Sequence, residues 1–327
     1  MTNKLSKDNM NLVIGATGAY GYAISKLLME GKYNVKLAVR DVSKAKALFG
    51  DKAEVIKLDI LNEESVRSVL KGSDYIYVAF NFPYNQWSNY GKAMSNIISA
   101  ARMNQSTIVF PGNVYGYGKF QKVPFDESHP LSSETRKGRI RNEMERMLKE
   151  NFIKKKIGLI LPRFADFYGP NVTNDLFGKM FTDALKNRSV KWLINPDVPH
   201  SFTFIEDAAK ASLCLVDHND VGEEYHISSS SITAREFISR IFFALQKPEK
   251  IKIYTETQLK IYSVISSQIR EVMELEYEFK EPYVMNSGKF IRNYPDFKFT
   301  PYDEGIKKTI RWFQAFTGEL IRILESQ

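Results

Sequence analysis

The chemistry of this chain starts at three spaced glycines. Gly15-Ala-Thr-Gly18-Ala-Tyr-Gly21 follows directly on the apolar run Leu12-Val13-Ile14. Each glycine has a physical reason to be there. The first permits a sharp turn off a strand, the second lets the backbone approach a pyrophosphate, and the third lets the next helix pack close to the sheet. The helix N-terminus then turns free N–H groups and a positive dipole end towards phosphate oxygens. Between a strand and a helix, this spacing reads as a dinucleotide-binding turn, with Gly15, Thr17, Gly18, Ala19, Tyr20 and Gly21 against the ligand. The plain alternative is a tight turn that holds nothing.

The residue after the second predicted strand selects the dinucleotide. An acid there would bond the ribose hydroxyls and favour NAD(H). Arg40 occupies the place, with Asp41 beside it and Lys44 further on. A guanidinium pairs with a 2′-phosphate and stacks on adenine, so NADP(H) is the expected cofactor. NAD(H) is the alternative, with Arg40 stacking only or facing solvent. Asp59, followed by Ile60, is placed after the third strand to meet the adenine amino group. It reads equally as a turn aspartate leading into the next helix.

Positioning these groups requires strands that end on one edge. Apolar runs at 12–14, 33–39, 54–58, 75–80, 107–110 and 157–161 read as strands. Helical spacing lies between them: Ala23, Ile24, Leu27 and Leu28 before a Gly31 stop, then 43–49, 62–70 with an Asn62 cap, 87–103 and 134–150. Such alternation implies right-handed crossovers and a parallel sheet covered on both faces, with ligands beyond the carboxyl ends of the strands. Ala79, Phe80 and Asn81 then follow the fourth strand, Pro111 and Asn113 the fifth, and Pro162 closes the sixth. Beyond lie a helix at 206–216, a strand at 225–227, and a helix to 244 that starts from a Thr233/Glu236 capping box. A mostly helical stretch follows at 253–281. Asp303 would cap a last helix with apolar Ile306, Ile310, Phe313, Leu320 and Leu324.

The expected fold class is α/β, a Rossmann-type doubly wound parallel sheet with a smaller, interleaved C-terminal lobe. The nucleotide domain would take 9–168 plus 200–228, and the substrate-side lobe 169–199 plus 229–327. A length of 327 residues suits about two domains. Lone Cys214 excludes an internal disulfide and a Cys-rich zinc centre and favours a reducing cytoplasm. Inside an apolar helix it reads as an inert core residue. His129, His200, His218 and His226 show no metal spacing, so no metal is expected. Residues 1–11 lack the apolar core of a signal peptide, and no run approaches a membrane span. The net charge of +8 allows nucleic acid, an anionic ligand or nothing specific. Lys154–Lys156 and Lys307-Lys308 read as solvated lysines, and no nucleic-acid motif accompanies them.

Taken together, these motifs resemble the short-chain dehydrogenase/reductase superfamily, in its extended branch of sugar-nucleotide epimerases and dehydratases. The glycine turn and Asp59-Ile60 carry the likeness, as does Asn113-Val114-Tyr115-Gly116. So do the stretch from Pro162-Arg163-Phe164 to Asp166-Phe167-Tyr168-Gly169-Pro170, Phe202 to Asp207, and the tail from Ser287 through Trp312. The resemblance implies a small polar or sugar-nucleotide substrate near Asn81, Asp166, Tyr168, His200 and Phe202. It also implies a homodimer paired through the charged helix, where Arg136, Lys137, Arg139 and Arg141 crowd into a turn and a half. His200 by itself reads as a surface-loop histidine.

The same resemblance implies a Ser or Thr after the fifth strand and a Tyr-xxx-Lys pair on the next helix. Here the Tyr place falls on Thr135, the Lys place on Arg139 and the Ser place near Pro111-Gly112. A Thr hydroxyl does not replace a phenol as acid/base, and a guanidinium relays no proton, though Arg139 could still hold a ribose. As an alternative it pairs with Glu143 four residues on. Tyr115-Gly-Tyr-Gly-Lys119 matches the pattern literally, but its glycines favour a loop. Asn113, Tyr115, Tyr117 and Tyr168 are the candidate substitutes, against tyrosines that only pack with bonded hydroxyls. Atypical members of the superfamily, which keep the nucleotide fold without the pair, are the nearer likeness. Two functions follow: an NAD(P)-dependent oxidoreductase or epimerase/dehydratase with non-standard catalytic residues, or a non-catalytic NAD(P)-binding redox sensor.

Overall fold

The computed structural model describes residues 5–325. Its elements in chain order are β1 (Asn11–Ile14), α1 (Ala19–Glu30), β2 (Val35–Val39), α2 (Val42–Phe49), β3 (Glu54–Lys57), α3 (Glu63–Leu70), β4 (Tyr75–Val78), α4 (Tyr90–Asn104), β5 (Thr107–Val109), α5 (Arg136–Ile153) and β6 (Gly158–Phe164). Then come β7 (Asp166–Tyr168), α6 (Phe177–Leu185), β8 (Val190–Leu193), β9 (Pro199–His200), β10 (Phe202–Phe204), α7 (Ile205–Asp217), β11 (Glu224–Ile227), β12 (Ile232–Thr233), α8 (Ala234–Ala244) and β13 (Ile251–Tyr254). Helices α9 (Glu256–Ile265), α10 (Ser267–Met273), α11 (Tyr277–Lys280), α12 (Gly288–Asn293) and α13 (Tyr302–Glu325) complete the chain.

Seven parallel strands form the main sheet in the order β11-β6-β5-β4-β1-β2-β3. Strands β1 and β4 are buried along their whole length, as a sheet covered on both faces demands. Leu12, Ile14, Ile76, Val78, Ile108 and Leu159 pack against Val66 and Leu70 of α3, Met94 and Ile97 of α4, and Met144 and Leu148 of α5. On α1, the Tyr20 hydroxyl donates to Ser212 Oγ of α7 at 2.7 Å. The strand order reverses between β1 and β4, which opens a crevice at their carboxyl ends.

The chain divides into two units. The first takes the chain up to Gly118, Pro130–Phe164 and Ala208–Ile227; the second takes Lys119–His129, Ala165–Asp207 and the chain from Ser228. The break falls before β7 rather than after it, because β7 pairs with β10 and not with the main sheet. Residues 119–129 join the second unit through Phe125, whose amide donates to Val284 O at 2.9 Å. Within that unit β8 pairs with β13 and β9 with β12. The Asp207 carboxylate is buried and accepts from Thr300 N and Oγ1 at 2.7 and 2.8 Å.

Several elements differ from the sequence expectation. The helix expected from 134 starts at Arg136, because Thr135 caps it and accepts from Gly138 N at 3.0 Å. A 3-10 turn, Tyr84–Asn89, precedes α4 where continuous helix was expected from 87. Asp303 lies in the first turn of α13 rather than before it. Thr233 caps α8 through Glu236 N, as expected. The 253–281 stretch is helical except at its start, where β13 pairs with β8. Short β7 to β10 and β12 were not foreseen, since two- to four-residue strands carry no readable period. Leu320 and Leu324 belong to side chains outside the described residues, as do residues 1–4 of the N-terminal stretch. No helix among the described residues is long and apolar enough to cross a membrane. Cys214 is half-buried rather than a core residue, and burial pushes its thiol up to about 11, so it stays protonated at neutral pH.

A Cβ on Gly21 would overlap the Gly15 carbonyl, so α1 can approach β1 only through a glycine here. Gly21→Ala is therefore expected to cost about 1–3 kcal/mol of stability, read as a lower urea midpoint with unchanged slope.

Candidate functional site

The register of the sheet assembles the nucleotide end. Ile14 stands level with Ala38 on one side and Val78 on the other, so Gly15, Arg40 and Ala79 all emerge at one edge. Gly15 has φ +81°, and a Cβ there would lie 2.7 Å from Phe80 Cα. The turn is thus pressed directly onto the segment leaving β4. Gly18 differs. A Cβ at Gly18 would meet nothing closer than Gly15 O at 3.5 Å, an ordinary contact, and its φ is −77°. The fold requires Gly15 and Gly21 but has no packing reason for Gly18, which is exposed. Gly18 caps α1 with no side-chain hydrogen bond, and the first turn has no acid, so the helix end keeps its donors and positive potential for an anion. Thr17 and Ala19 are half-buried within the turn, and the Tyr20 hydroxyl is already spent on Ser212.

Around the turn, Arg40 and Lys44 are exposed at the end of β2 and the start of α2. Asp41 caps α2, its carboxylate accepting from Lys44 N at 3.0 Å. The one acid near the ribose position is therefore engaged by its own helix. Asp59 is also exposed, in a turn of its own. Its Oδ1 accepts from Leu61 N at 3.0 Å, and it lines a cavity of about 550 Å³ with Leu61, Asn62, Lys92 and Asn96. Asn96 Nδ2 holds the Ile60 carbonyl at 3.0 Å. Asn81 is exposed after β4 and accepts from the Tyr90 hydroxyl.

Beyond β5, the segment from Pro111 forms a turn whose base is a buried ion cluster. Gly112 N donates to Pro162 O at 2.8 Å and Phe164 N to Gly112 O at 3.1 Å, which stitches the turn to β6. Arg163, fully buried, donates to Asn113 O. Its other donors reach Glu145 Oε2 of α5 at 2.8 Å and Glu224 Oε1 of β11 at 2.6 and 2.8 Å. Lys149 adds a bond to Glu224 Oε2 at 3.0 Å. The Arg163 guanidinium lies 4.8 Å from the Tyr117 ring centroid, and the Tyr117 hydroxyl bonds His226 Nε2.

The candidate tyrosines separate accordingly. Tyr117 is buried on His226, and Gly118 follows at φ +72°, so the literal Tyr115-xxx-Lys119 is a turn and not a helix face. Tyr115 is half-buried, donates its amide N–H to Asn113 Oδ1 at 3.2 Å, and stacks on Trp87 at 6.3 Å. A Cβ on Gly138 would overlap the Tyr115 carbonyl, so α5 holds this residue by direct backbone approach. Thr135 is committed to its cap and lies 3.0 Å from Ser133 Oγ. Of the two readings of Arg139, the pair with Glu143 is not the one found, since Arg146 takes Glu143 at 2.6 and 2.9 Å. Arg139 is left exposed.

In the second unit, β7 and β10 bring Asp166, Tyr168 and Phe202, expected from the sequence on the substrate side, together, with His200 beside them. The surface-loop reading of His200 is overturned. His200 is 1% exposed, its Nε2 bonds Asp166 Oδ2 at 2.9 Å, and it stacks on Tyr283 and Phe202 at 4.4 and 4.7 Å. Its place in β9, paired with β12, was hidden by the brevity of both strands. Tyr168 is buried among Phe204, Phe237 and Tyr302, its hydroxyl against Gly305 of α13. That hydroxyl therefore faces the unit's own core.

Sequence reasoning named Arg163 only as part of a motif and passed over Glu145, Glu224, Gly138 and Asn142. Gly138 was the readable signal, being a glycine inside a helical pattern. Asn142 Nδ2 donates to the carbonyls of Gly116 and Leu131 at 3.0 and 3.2 Å. The Arg163 partners stand 18 and 61 residues away in sequence, beyond any local pattern.

The cluster makes stability pH-dependent. Burial pushes the Glu224 carboxyl up, but Arg163 and Lys149 outweigh it and hold it down at about 2. A carboxyl held below its unfolded value of about 4.3 contributes stability above that pH, and the contribution fades as pH falls towards 2. Urea midpoints are expected to drop across that window. Glu224→Gln should remove part of the drop and cost about 3 kcal/mol at neutral pH, since it strips a partner from a buried guanidinium.

Comparison with known proteins agrees with this arrangement. A family model described as the NAD dependent epimerase/dehydratase family matches residues 11–228. No curated protein sequence matches the chain. Among solved structures, an epimerase from Methanothermobacter thermautotrophicus is 19% identical with a TM-score of 0.81, covering 96% of this chain and 94% of that one. A dTDP-glucose 4,6-dehydratase from Bacillus anthracis, in complex with NAD, is 16% identical at 0.78, covering 94% and 97%. A UDP-N-acetylglucosamine 4-epimerase from Methanobrevibacter ruminantium, in complex with UDP-N-acetylmuramic acid, is 17% identical at 0.77, covering 96% and 99%. With the glycine turn at the reversal of the strand order and the matched region spanning two-thirds of its length, the chain belongs to the NAD dependent epimerase/dehydratase family.

Proposed function

We propose that the protein is a nicotinamide-dinucleotide-dependent epimerase or dehydratase acting on a sugar nucleotide. The observation that carries this is Gly18, a glycine with no packing reason in the fold, at an uncapped helix end beside the strand reversal. The known structures of this fold include enzymes named for dTDP-glucose and UDP-N-acetylglucosamine, which supports that substrate class. The dinucleotide, when bound, supplies the hydride acceptor and donor. The chain would contribute the rest. The turn amides and the α1 N-terminus hold the pyrophosphate, and Arg139 is assigned to the nicotinamide ribose. Tyr115 is the phenol assigned to take and return the proton of the reacting sugar hydroxyl. Tyr117 and Tyr168 have buried hydroxyls, and the Thr135 hydroxyl is a helix cap. In the second unit the partly exposed Asp166 is assigned to substrate recognition, with buried His200 and Phe202 fixing its position.

The test is NAD(P)+ titration followed by incubation with dTDP- and UDP-sugars, with reduced cofactor read at 340 nm and products by chromatography. Gly18→Ala should weaken dinucleotide binding at least about tenfold while the unfolding free energy from urea denaturation changes by less than about 1 kcal/mol. Tyr115→Phe should lower turnover by about 10²-fold or more with cofactor binding intact. Tight dinucleotide binding without turnover on any sugar nucleotide would instead assign the fold to a binding or sensing role.

Within the family's nicotinamide chemistry, we assign NADP(H) as the preferred cofactor. Arg40 and Lys44 are exposed where a 2′-phosphate would sit, and Asp41 is held by its own helix. A charged hydrogen bond of this kind contributes about 1.5–3 kcal/mol, or roughly ten- to a hundredfold in affinity. Arg40→Ala should lose that factor for NADPH and leave NADH nearly unchanged, measured by fluorescence titration. Equal affinities in the unaltered protein would refute the assignment.

A further inference from the structure

The ligand edge of the first unit carries a cation that no acid neutralises. Phe80 and Phe82 follow β4, Trp87 lies in the 3-10 turn before α4, Tyr90 opens α4, and Tyr115 lies in the β5 turn. Their rings form one group, with Phe82–Tyr90 at 5.0 Å, Trp87–Tyr90 at 5.3 Å and Trp87–Tyr115 at 6.3 Å. Arg141 of α5 rests on this group, its guanidinium 5.4 Å from the centroids of both Trp87 and Tyr90. Arg146, Arg163, Arg235 and Arg240 each bind carboxylates. Arg141 has no hydrogen bond or ion pair with any described residue, and its Nε is buried without a partner.

A guanidinium does not shed its charge at any working pH. Aromatic faces offset part of that charge but accept none of its N–H donors, and a buried donor left unmade is costly. Helix α5 adds a positive end nearby, since its first turn carries no acid to offset the helix dipole. Because α4 and α5 follow parallel strands, their N-termini lie on the same edge of the sheet as the glycine turn. Arg141 is only half-buried, so a ligand can reach it.

We propose that Arg141 is the residue that recognises an oxyanion of the substrate, a phosphate or carboxylate oxygen taken by the forked guanidinium. The cofactor's pyrophosphate already has its seat at α1, beyond β1, whereas Arg141 stands at the N-terminal part of α5, beyond β5. The trapped cation therefore belongs to the second ligand. This deepens the sugar-nucleotide reading and rests on it only for the substrate class. It adds that the anion is what this edge selects.

Calorimetric titration of NAD+, UDP, UDP-glucose and UDP-glucuronate into the unaltered protein, Arg141→Lys and Arg141→Gln tests it. Two results support the proposal. In one, Arg141→Gln binds UDP and both sugars about tenfold or more weakly, which identifies the diphosphate as the oxyanion. In the other, only UDP-glucuronate is weakened, which identifies a sugar carboxylate. Either way NAD+ affinity should stay within about twofold and Arg141→Lys should retain part of the lost affinity, as a point charge does. NAD+ binding also shows that the variants are folded. The proposal is overturned if Arg141→Gln leaves every nucleotide affinity unchanged, if NAD+ weakens equally, or if the unaltered protein binds none of the UDP probes. Cofactor reduction at 340 nm is a separate readout. Binding that depends on Arg141 without turnover rejects the enzymatic reading and keeps this one, whereas turnover indifferent to Arg141 does the reverse.

Discussion

Much of the first unit depends on one buried guanidinium. Arg163 lies on β6 with no exposure and binds α5 through Glu145, β11 through Glu224 and the β5 turn through the Asn113 carbonyl. Charge buried in this way is tolerated only when every donor is answered, and removing any partner leaves the others desolvated. The cluster therefore fixes geometry more than it adds stability. It brings an edge strand, a helix and a turn into one register, and the turn so fixed carries Asn113 and Tyr115. Glycines complete the arrangement. At Gly138, α5 meets the Tyr115 carbonyl with no room for a side chain, and at Gly116 a Cβ would overlap the Asn142 amide that holds the turn.

The sequence disclosed those parts of the molecule whose causes are local. Strands β1 to β6 follow from short apolar runs, and the α3 cap from Asn62, which accepts from Ser65 N at 2.9 Å. The strand–turn–helix of the glycine motif is equally local, since turn, cap and dipole act within ten residues. Boundaries moved where a side chain chose between two roles. Thr135 capping Gly138 N shortened the expected α5 by one turn's start, and Glu143 went to Arg146 rather than to Arg139. Neither choice can be read from spacing, because both partners sit at permitted helical distances.

The second unit was less legible for a different reason. Its strands are two to four residues long, and a two-residue strand has no alternation to detect. His200 shows the consequence. Its neighbours in sequence look like a loop, yet Asp166, 34 residues earlier, and Tyr283, far later, enclose it. Burial of an imidazole against a carboxylate and aromatic rings is a tertiary fact. The sequence offered only the separate residues Asp166, His200 and Phe202, and the fold made them neighbours.

What distinguishes ligand-directed residues from structural ones here is the absence of an internal reason. Gly15, Gly21 and Gly138 are each explained by an atom that a Cβ would strike, and they would be glycine in a protein that bound nothing. Gly18 has no such atom. The same criterion separates the arginines. Arg163, Arg146, Arg235 and Arg240 have carboxylates, whereas exposed Arg40 and ring-held Arg141 have none among the described residues. Gly18 and Arg40 lie at the β1/β2 end of the ligand edge, and Tyr115 and Arg141 near the β4/β5 end. Under the proposed function, a dinucleotide laid across the strand reversal would span that division, with its phosphates on the glycine turn and its reactive ring towards the β5 turn. On that reading Gly18, Arg40 and Arg141, the residues without an internal reason, are distributed as two ligands meeting end to end would require.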